Sequence, residues 1–289
     1  MSNKRLIEPV TPPSWRTPVE LLPISTPHCR IERDGHVVVV TMDRPEARNA
    51  LSQDMLVGLA EAWRYISDEP EVRVGILTGA GGTFCAGADL KAMGTPSEDE
   101  RVRRRAAEIP DYHWKGLLRD PEALPAKPVV CAVEGYAVAG GTELLVGTDL
   151  RVAGESATLG LFEARRALFP MGGSAVRLPR QIPYAFAMDV LLTGRPVTAA
   201  EALAMGMVNR VVPDGQALET AREIAAQVAA CGPLAVQAIL RAYRETLGMP
   251  EAEALKVSDA IGWPVIGSED AKEGSRAFRD KRPPLYQGR

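Results

Sequence analysis

The chain has 289 residues and a mass of 31.1 kDa, enough for one large domain or for one domain with an appendage. Hydrophobic residues make up 46% and charged residues 25%, which is typical of a soluble globular protein. The net charge of −3 and the pI of about 5.8 give no overall basic field, so the composition argues against nucleic acid or an anionic membrane as a partner.

The cysteines and histidines argue against a metal site. Cys29, Cys85, Cys131 and Cys231 show no C-x-x-C spacing and have no histidine at metal-ligand spacing. This usage predicts reduced thiols and a cytoplasmic location. No stretch approaches the roughly 18 consecutive apolar residues of a membrane span, so none is predicted.

The N-terminal segment differs in composition from the rest of the chain. Residues 1–27 contain six prolines and lack the apolar core of a signal peptide. This composition predicts an extension, flexible or clamped, that is separate from the main fold.

Strands and helices alternate from residue 28 to residue 213. Strands are predicted over Val37–Met42, Val72–Thr78, Pro128–Val133, Leu150–Val152 and Val208–Val212. Helices are predicted after the N-cap Ser52, over 97–118, from Gly140 through Leu145 and after the N-cap Thr198. This alternation predicts an α/β core with parallel strands over 28–213. Only helical patterns follow Pro213, so residues 214–289 are predicted to form a helical C-terminal part.

The first segment with a chemical signal is the loop Gly79–Leu90, GAGGTFCAGADL. A dinucleotide-binding G-x-G-x-x-G starting at Gly79 would need glycine where Phe84 stands, and the Gly-Lys-Ser/Thr of a phosphate-binding loop is absent. Loops that follow parallel strands gather at the sheet edge where ligands bind. The loop is therefore either a ligand site or a simple tight turn.

The second segment is Glu134–Val146, EGYAVAGGTELLV. Gly140 and Gly141 at a helix N-terminus leave main-chain N–H groups unpaired, and such groups stabilise an oxyanion. Glu143 falls in the first turn of this helix, where it is either a catalytic group or a residue that complements the helix dipole.

The third segment is Ala157–Met171, ATLGLFEARRALFPM. Glu163 lies among leucines and Phe162, a setting that raises the pKa of a carboxyl group toward a working range. The alternative is a simple ion pair of Glu163 with Arg165 or Arg166.

Together these segments resemble the crotonase (enoyl-CoA hydratase/isomerase) superfamily, from about Ile31 to the C-terminus. Residues 44–51, RPEARNAL, look like its first signature, residues 84–91, FCAGADLK, match F-x-A-G-A-D, and residues 134–144 match its longer glycine-rich signature. The resemblance implies an α/β, crotonase-like spiral of ββα units with a helical C-terminal part that supplies the contacts between subunits.

The same resemblance implies the site residues. The N–H groups of Ala88 and Gly140 would form the oxyanion hole, with Glu143 and Glu163 as the catalytic glutamates. Glu163, in the more apolar setting, is assigned as the proton donor to C2, and Glu143 as the base that orients the water. The implied coenzyme A contacts are Arg48, Ala86, Ala88, Asp89, Leu90, Lys91, Gly140, Phe278 and Lys281, the last two often from a neighbouring subunit.

The implied function is hydration of a 2-enoyl-CoA in fatty-acid or related acyl-CoA degradation. It needs no metal or organic cofactor, because coenzyme A is part of the substrate, and a homotrimer or a dimer of trimers is expected. The alternatives are an isomerase working with Glu163 alone or another crotonase-type acyl-CoA enzyme, a non-catalytic acyl-CoA- or RNA-binding protein, and a subunit of a larger β-oxidation complex. Glu143 favours hydration. Phe162, where the family often has proline, is expected to reshape the acyl pocket.

Overall fold

The computed structural model describes residues 20–92 and 94–289. Most of the extension predicted over 1–27 therefore lies outside the described residues. Its end carries strand β1 (Glu20–Leu21), which pairs antiparallel with β2 (Cys29–Asp34). The sheet thus begins at Glu20, ahead of the predicted core boundary at residue 28.

Ten strands form two sheets in the part of the chain that the structure describes. The others are β3 (Val37–Met42), β4 (Val74–Gly79), β5 (Val129–Val133), β6 (Tyr136–Val138), β7 (Leu150–Gly154), β8 (Thr158–Gly160), β9 (Val197–Thr198) and β10 (Arg210–Val212). The large sheet has the order β1-β2-β3-β4-β5-β7-β10, and all neighbours from β3 onward are parallel. The predicted α/β class with parallel strands is confirmed.

The second sheet, β6-β8-β9, was not predicted. Its strands have three residues or fewer, too short for an alternation of polar and apolar residues to show. Within this sheet, Ala137 pairs with Leu159, and this pairing places the second chemical segment (134–146) beside the third (157–171).

Eleven helices surround the sheets within the described ranges. They are α1 (Gln53–Asp68), α2 (Glu100–Glu108), α3 (Tyr112–Gly116), α4 (Gly140–Gly147), α5 (Ser174–Gln181), α6 (Tyr184–Thr193), α7 (Ala199–Met205), α8 (Ala217–Ala229), α9 (Pro233–Thr246), α10 (Glu251–Ile266) and α11 (Glu269–Asp280). Ser52 and Thr198 cap α1 and α7 as predicted, each side chain accepting a main-chain N–H bond.

The helical segment predicted over 97–118 is two helices rather than one. Pro110 separates α2 from α3, and it restricts the residue before it to extended conformations. Ile109 accordingly has φ −104° and ψ 94°, and Asp111 turns the chain in the left-handed region with φ 54°.

Both faces of the large sheet are buried at its central strands, β3, β4 and β5. On β3, Val38, Val40 and Met42 join the larger core with α1, whereas Val37 and Val39 join a second core against α8. Because the strand is covered on both sides, it is continuously apolar instead of alternating. The carboxyl ends of β3, β4 and β5 are thereby held at one edge, from which the signature loops leave.

No single helix in the described residues is long and apolar enough to span a membrane; α8 and α9 meet that test only as a pair bent by 103°. All four cysteines are free thiols. Burial raises the pKa of Cys29, Cys85 and Cys131 to about 12, so these three are held as inert thiols.

Candidate active site

Asn49 joins the loop after β3 to the loop after β4. It is fully buried, and its Nδ2 donates to the carbonyl oxygens of Ala80 at 2.9 Å and Thr83 at 2.6 Å. Its Oδ1 accepts from the Arg44 N–H at 2.8 Å. The first two signature segments are therefore one hydrogen-bonded unit, and the loop after β4 is more than a simple tight turn.

The N–H of Ala88 is left free by the pairing of its neighbours. The Leu51 N–H donates to the Gly87 carbonyl at 2.8 Å, and the Asp89 N–H donates to the Leu51 carbonyl at 3.2 Å. Because successive amides of an extended chain point to opposite sides, the Ala88 N–H faces away from Leu51. It donates no hydrogen bond to any described residue.

Gly140 begins α4 directly beside Ala88. A Cβ built on Gly140 would lie 3.7 Å from the Ala88 nitrogen, and one built on Gly141 would lie 2.4 Å from the Cys85 carbonyl oxygen. The first is an ordinary contact distance, whereas the second leaves room for glycine alone at position 141. The N–H of Gly140 is also without a partner in the described ranges, as expected at a helix N-terminus. The structure thus brings the two predicted oxyanion donors together.

Glu143, in the first turn of α4, is held by the first residue of α5. Glu143 is 5% exposed, and its Oε1 accepts bonds from the Ser174 hydroxyl at 3.0 Å and the Ser174 N–H at 3.3 Å. Its Oε2 lies beside Gly172, where a Cβ would be only 2.6 Å away. Burial raises the pKa of Glu143, and the bonds from residues 172–174 oppose this rise.

Glu163 has no such partners. It stands just after β8 at the start of a short 3-10 turn, and its Oε2 is buried without a hydrogen-bond partner. Burial raises the pKa of Glu163, and the negative charge of Glu143 raises it further, against the opposing charge of Arg166. The two carboxyl groups therefore sense each other's charge across one site. Glu163 forms no ion pair with Arg165 or Arg166; Arg165 donates instead to the Thr193 carbonyl at 3.0 Å.

The coenzyme A candidates on the loops have different surroundings. Asp89 pairs with Arg44 at 2.5 Å, which holds the pKa of this carboxyl below its usual range, and it also accepts the N–H bonds of Lys91 and Ala92 at 3.0 Å. Its side chain thus shapes the turn. Arg48, Leu90 and Lys91 are exposed around it, and Ala86 is tied to the Arg48 carbonyl at 3.0 Å.

The two C-terminal candidates lie elsewhere in the chain. Phe278, near the end of α11, is 87% exposed and lines a cavity of about 450 Å³ with Leu234 and Tyr286. Lys281 ends the same helix with φ 53°. None of the signature-loop residues lines that cavity. Within one chain, the cavity therefore does not connect Phe278 with the loops that carry the other coenzyme A candidates.

Sequence reasoning assigned no role to Ser174 or Asn49. Asn49 stands in the first signature segment and Ser174 just beyond the third chemical segment, but the contacts of both depend on how distant elements pack. Thr142, fully buried, donates to the Ala137 carbonyl at 2.5 Å and accepts from the Gly160 N–H at 3.1 Å, which ties the start of α4 to β8. The ring of Phe162 packs over Gly160, where a Cβ would be 2.4 Å from the ring.

The described residues contain no cluster of side chains that could bind a metal ion. Among residues 20–92 and 94–289, no three His, Cys, Asp or Glu side chains come together in a way that could hold a metal ion. The chemistry at hand is that of unpaired main-chain donors and two carboxyl groups, the buried one of Glu143 and the half-buried one of Glu163.

Comparison with known proteins gives a consistent result. The family model described as enoyl-CoA hydratase/isomerase matches residues 32–289. Enoyl-CoA hydratase EchA19 of Mycobacterium tuberculosis is 54% identical over 267 residues, covering 92% of this chain and 98% of that protein. Carnitinyl-CoA dehydratase of Salmonella typhi is 39% identical over 265 residues, covering 90% and 98%. The crystal structure of enoyl-CoA hydratase EchA1 from Mycobacterium marinum gives a TM-score of 0.82 at 39% identity, covering 91% and 100%.

Proposed function

The chain belongs to the enoyl-CoA hydratase/isomerase family and is an enzyme of the enoyl-CoA hydratase type, and on this premise we propose that Glu143 and Glu163 add water to a 2-enoyl-CoA bound at the N–H groups of Ala88 and Gly140. The observation that carries the proposal is the difference in hydrogen bonding between the carboxyl groups of Glu143 and Glu163. One carboxyl accepts two hydrogen bonds, and an oxygen of the other is buried without any.

The thioester oxygen accepts hydrogen bonds from the two free main-chain donors. As water adds to C3, negative charge moves onto this oxygen, and donors already in place need no rearrangement to stabilise it. One such donor typically contributes about 3–4 kcal/mol to the transition state. The close approach of Gly140 to Ala88 supports this use of the site.

The division of acid and base follows from the hydrogen bonds. Bonds donated to a carboxylate favour its ionised form, and Ser174 donates two of them to Glu143. In a coupled pair the shared proton therefore resides on Glu163. Glu143 removes a proton from water while the oxygen bonds to C3, and Glu163 delivers its proton to C2. The net change is the addition of one water, and the two carboxyls recover their states by proton exchange with solvent.

The test of the function is a comparison of two substrates. With crotonyl-CoA we expect loss of the absorbance of the conjugated enone, because hydration removes the double bond. With a 3-enoyl-CoA, an isomerase would instead create that absorbance. Rapid isomerisation without any hydration of 2-enoyl-CoA esters of rising chain length would contradict the proposal.

We propose that the reaction needs no cofactor, because coenzyme A enters as part of the substrate and the chain's own groups supply the acid, the base and the oxyanion donors. The proposed location is the cytoplasm. Four cysteines without a disulfide support a reducing compartment.

We further propose a homotrimer or a dimer of trimers in which Phe278 and Lys281 approach the coenzyme A of a neighbouring subunit. Large apolar side chains on α9 to α11 support this, since Ile239 is 69%, Trp263 66% and Phe278 87% exposed in the single chain. Sedimentation should give a multiple of three times the 31.1 kDa chain mass. A fully active species with the mass of one chain would contradict it.

A further inference from the structure

Helix α5 presents its first turn to Glu143. Its first residue, Ser174, is fully buried, and the residue before it, Gly173, turns the chain with φ 106°. Both the hydroxyl and the N–H of Ser174 then reach the same oxygen, Oε1 of Glu143. Such a double contact fixes one oxygen of a carboxylate and leaves the other available.

The Ser174 hydroxyl is the one described side-chain group that donates a hydrogen bond to Glu143. The charged groups that act on this carboxylate are Glu163 across the site and Arg177 one turn further along α5. The Arg177 guanidinium itself donates to the Leu118 carbonyl. Main-chain N–H groups of residues 172–174 also act on Glu143, so the Ser174 hydroxyl is the part of this hold that a side-chain substitution can remove.

We propose that Ser174 is a positioning residue for hydration. Its hydroxyl holds Oε1 of Glu143 so that Oε2, beside Gly172, faces the attacking water, and this bond makes Glu143 the base of the pair. The inference rests on the proposed function. A serine hydroxyl in this geometry stabilises the carboxylate more than the neutral acid, since the acid form is the weaker acceptor.

The test is the replacement Ser174→Ala, with Ser174→Thr as the variant that keeps the hydroxyl. For Ser174→Ala we expect kcat to fall about 10- to 100-fold, the range for loss of a hydrogen bond to a charged group, with KM unchanged. Without the hydroxyl the pKa of Glu143 rises further, so the acid limb of the kcat–pH profile should move upward by about one unit. Ser174→Thr should restore both values.

Thr148→Ala is the matched control. It removes another buried hydroxyl, which donates to the Leu145 carbonyl at 2.7 Å at the opposite end of α4. We expect it to leave the acid limb in place. If Ser174→Ala does not fold, Ser174→Cys, which keeps a weaker donor of similar size, should give a smaller shift in the same direction.

Two outcomes would overturn the inference: a wild-type profile in Ser174→Ala, or a lower kcat with an unmoved acid limb, which indicates only loosened packing. These are distinct from failure of the proposed function. If the glutamine variants of Glu143 and Glu163 hydrate normally, the proposed chemistry itself is wrong. If those variants are inactive and Ser174→Ala is not, only the role of Ser174 is wrong.

Discussion

Replacing Glu163 with glutamine should lower kcat for hydration about 10²–10⁴-fold, the usual contribution of an acid–base group, and leave KM for the enoyl-CoA nearly unchanged. Glutamine keeps the size of the side chain but has no acidic proton for C2. Glu143→Gln should lower kcat by a similar factor, because an amide cannot remove a proton from water. Steady-state kinetics with crotonyl-CoA measures both.

The pH profiles distinguish the two roles. Activity requires Glu143 ionised and Glu163 protonated, so kcat should rise through the pKa of Glu143 and fall through that of Glu163. Burial raises the pKa of both groups, so both limbs should lie above the ordinary range of a glutamate. The residual activity of Glu163→Gln should lose the alkaline limb, and that of Glu143→Gln should lose the acid limb.

A nearby exposed glutamate provides the control for these variants. Glu155 lies at the surface between β7 and β8, and Glu155→Gln changes the same charge without touching the site. It should retain the wild-type rate. A loss of less than about tenfold in both Glu143→Gln and Glu163→Gln would refute their assignment, because acid–base groups usually contribute far more.

The sequence was sufficient for elements whose pattern is local. The strand Val37–Met42 agrees with its predicted bounds because a run of β-branched residues buried on both faces is unambiguous. Ser52 and Thr198 were predicted as caps because capping involves residues only three positions apart. The chemical segments were found because glycines where two backbone segments come close, and a glutamate in the first turn of a helix, are recognisable in the sequence.

The relation between Glu143 and Glu163 could not be read from local pattern. A separation of twenty residues does not fix a distance, and the two are brought together by β6 and β8, strands of three residues each. The Ser174 bond depends likewise on the packing of α4 against α5. Family resemblance named the glutamates; only the folded chain shows which of them is hydrogen-bonded.

Replacing Gly172 with alanine should lower kcat about 10²-fold, the order of loss expected when a catalytic group is displaced by about 1 Å. A Cβ at this position would lie 2.6 Å from Oε2 and 2.7 Å from Cδ of Glu143, closer than real contacts allow. Gly172 is not among the residues with positive φ, so alanine suits its backbone and the effect comes from the contact alone. The carboxylate, held by Ser174 at Oε1, must leave its place.

A double-mutant cycle isolates this contact. In a Glu143→Ala background there is no carboxylate to displace, so Gly172→Ala should cause almost no further loss of kcat. Gly262→Ala in α10 is the control for the glycine-to-alanine change itself, because in the single chain a Cβ there would meet nothing within 4 Å and its φ is not positive. It should keep the wild-type kcat, and sedimentation of this variant checks that the proposed oligomer, whose interface includes α10, is intact. If the fold losses of kcat from Gly172→Ala and Glu143→Ala instead multiply in the double variant, Gly172 acts on some other group. The position of the Glu143 carboxylate would then not depend on the missing Cβ of Gly172.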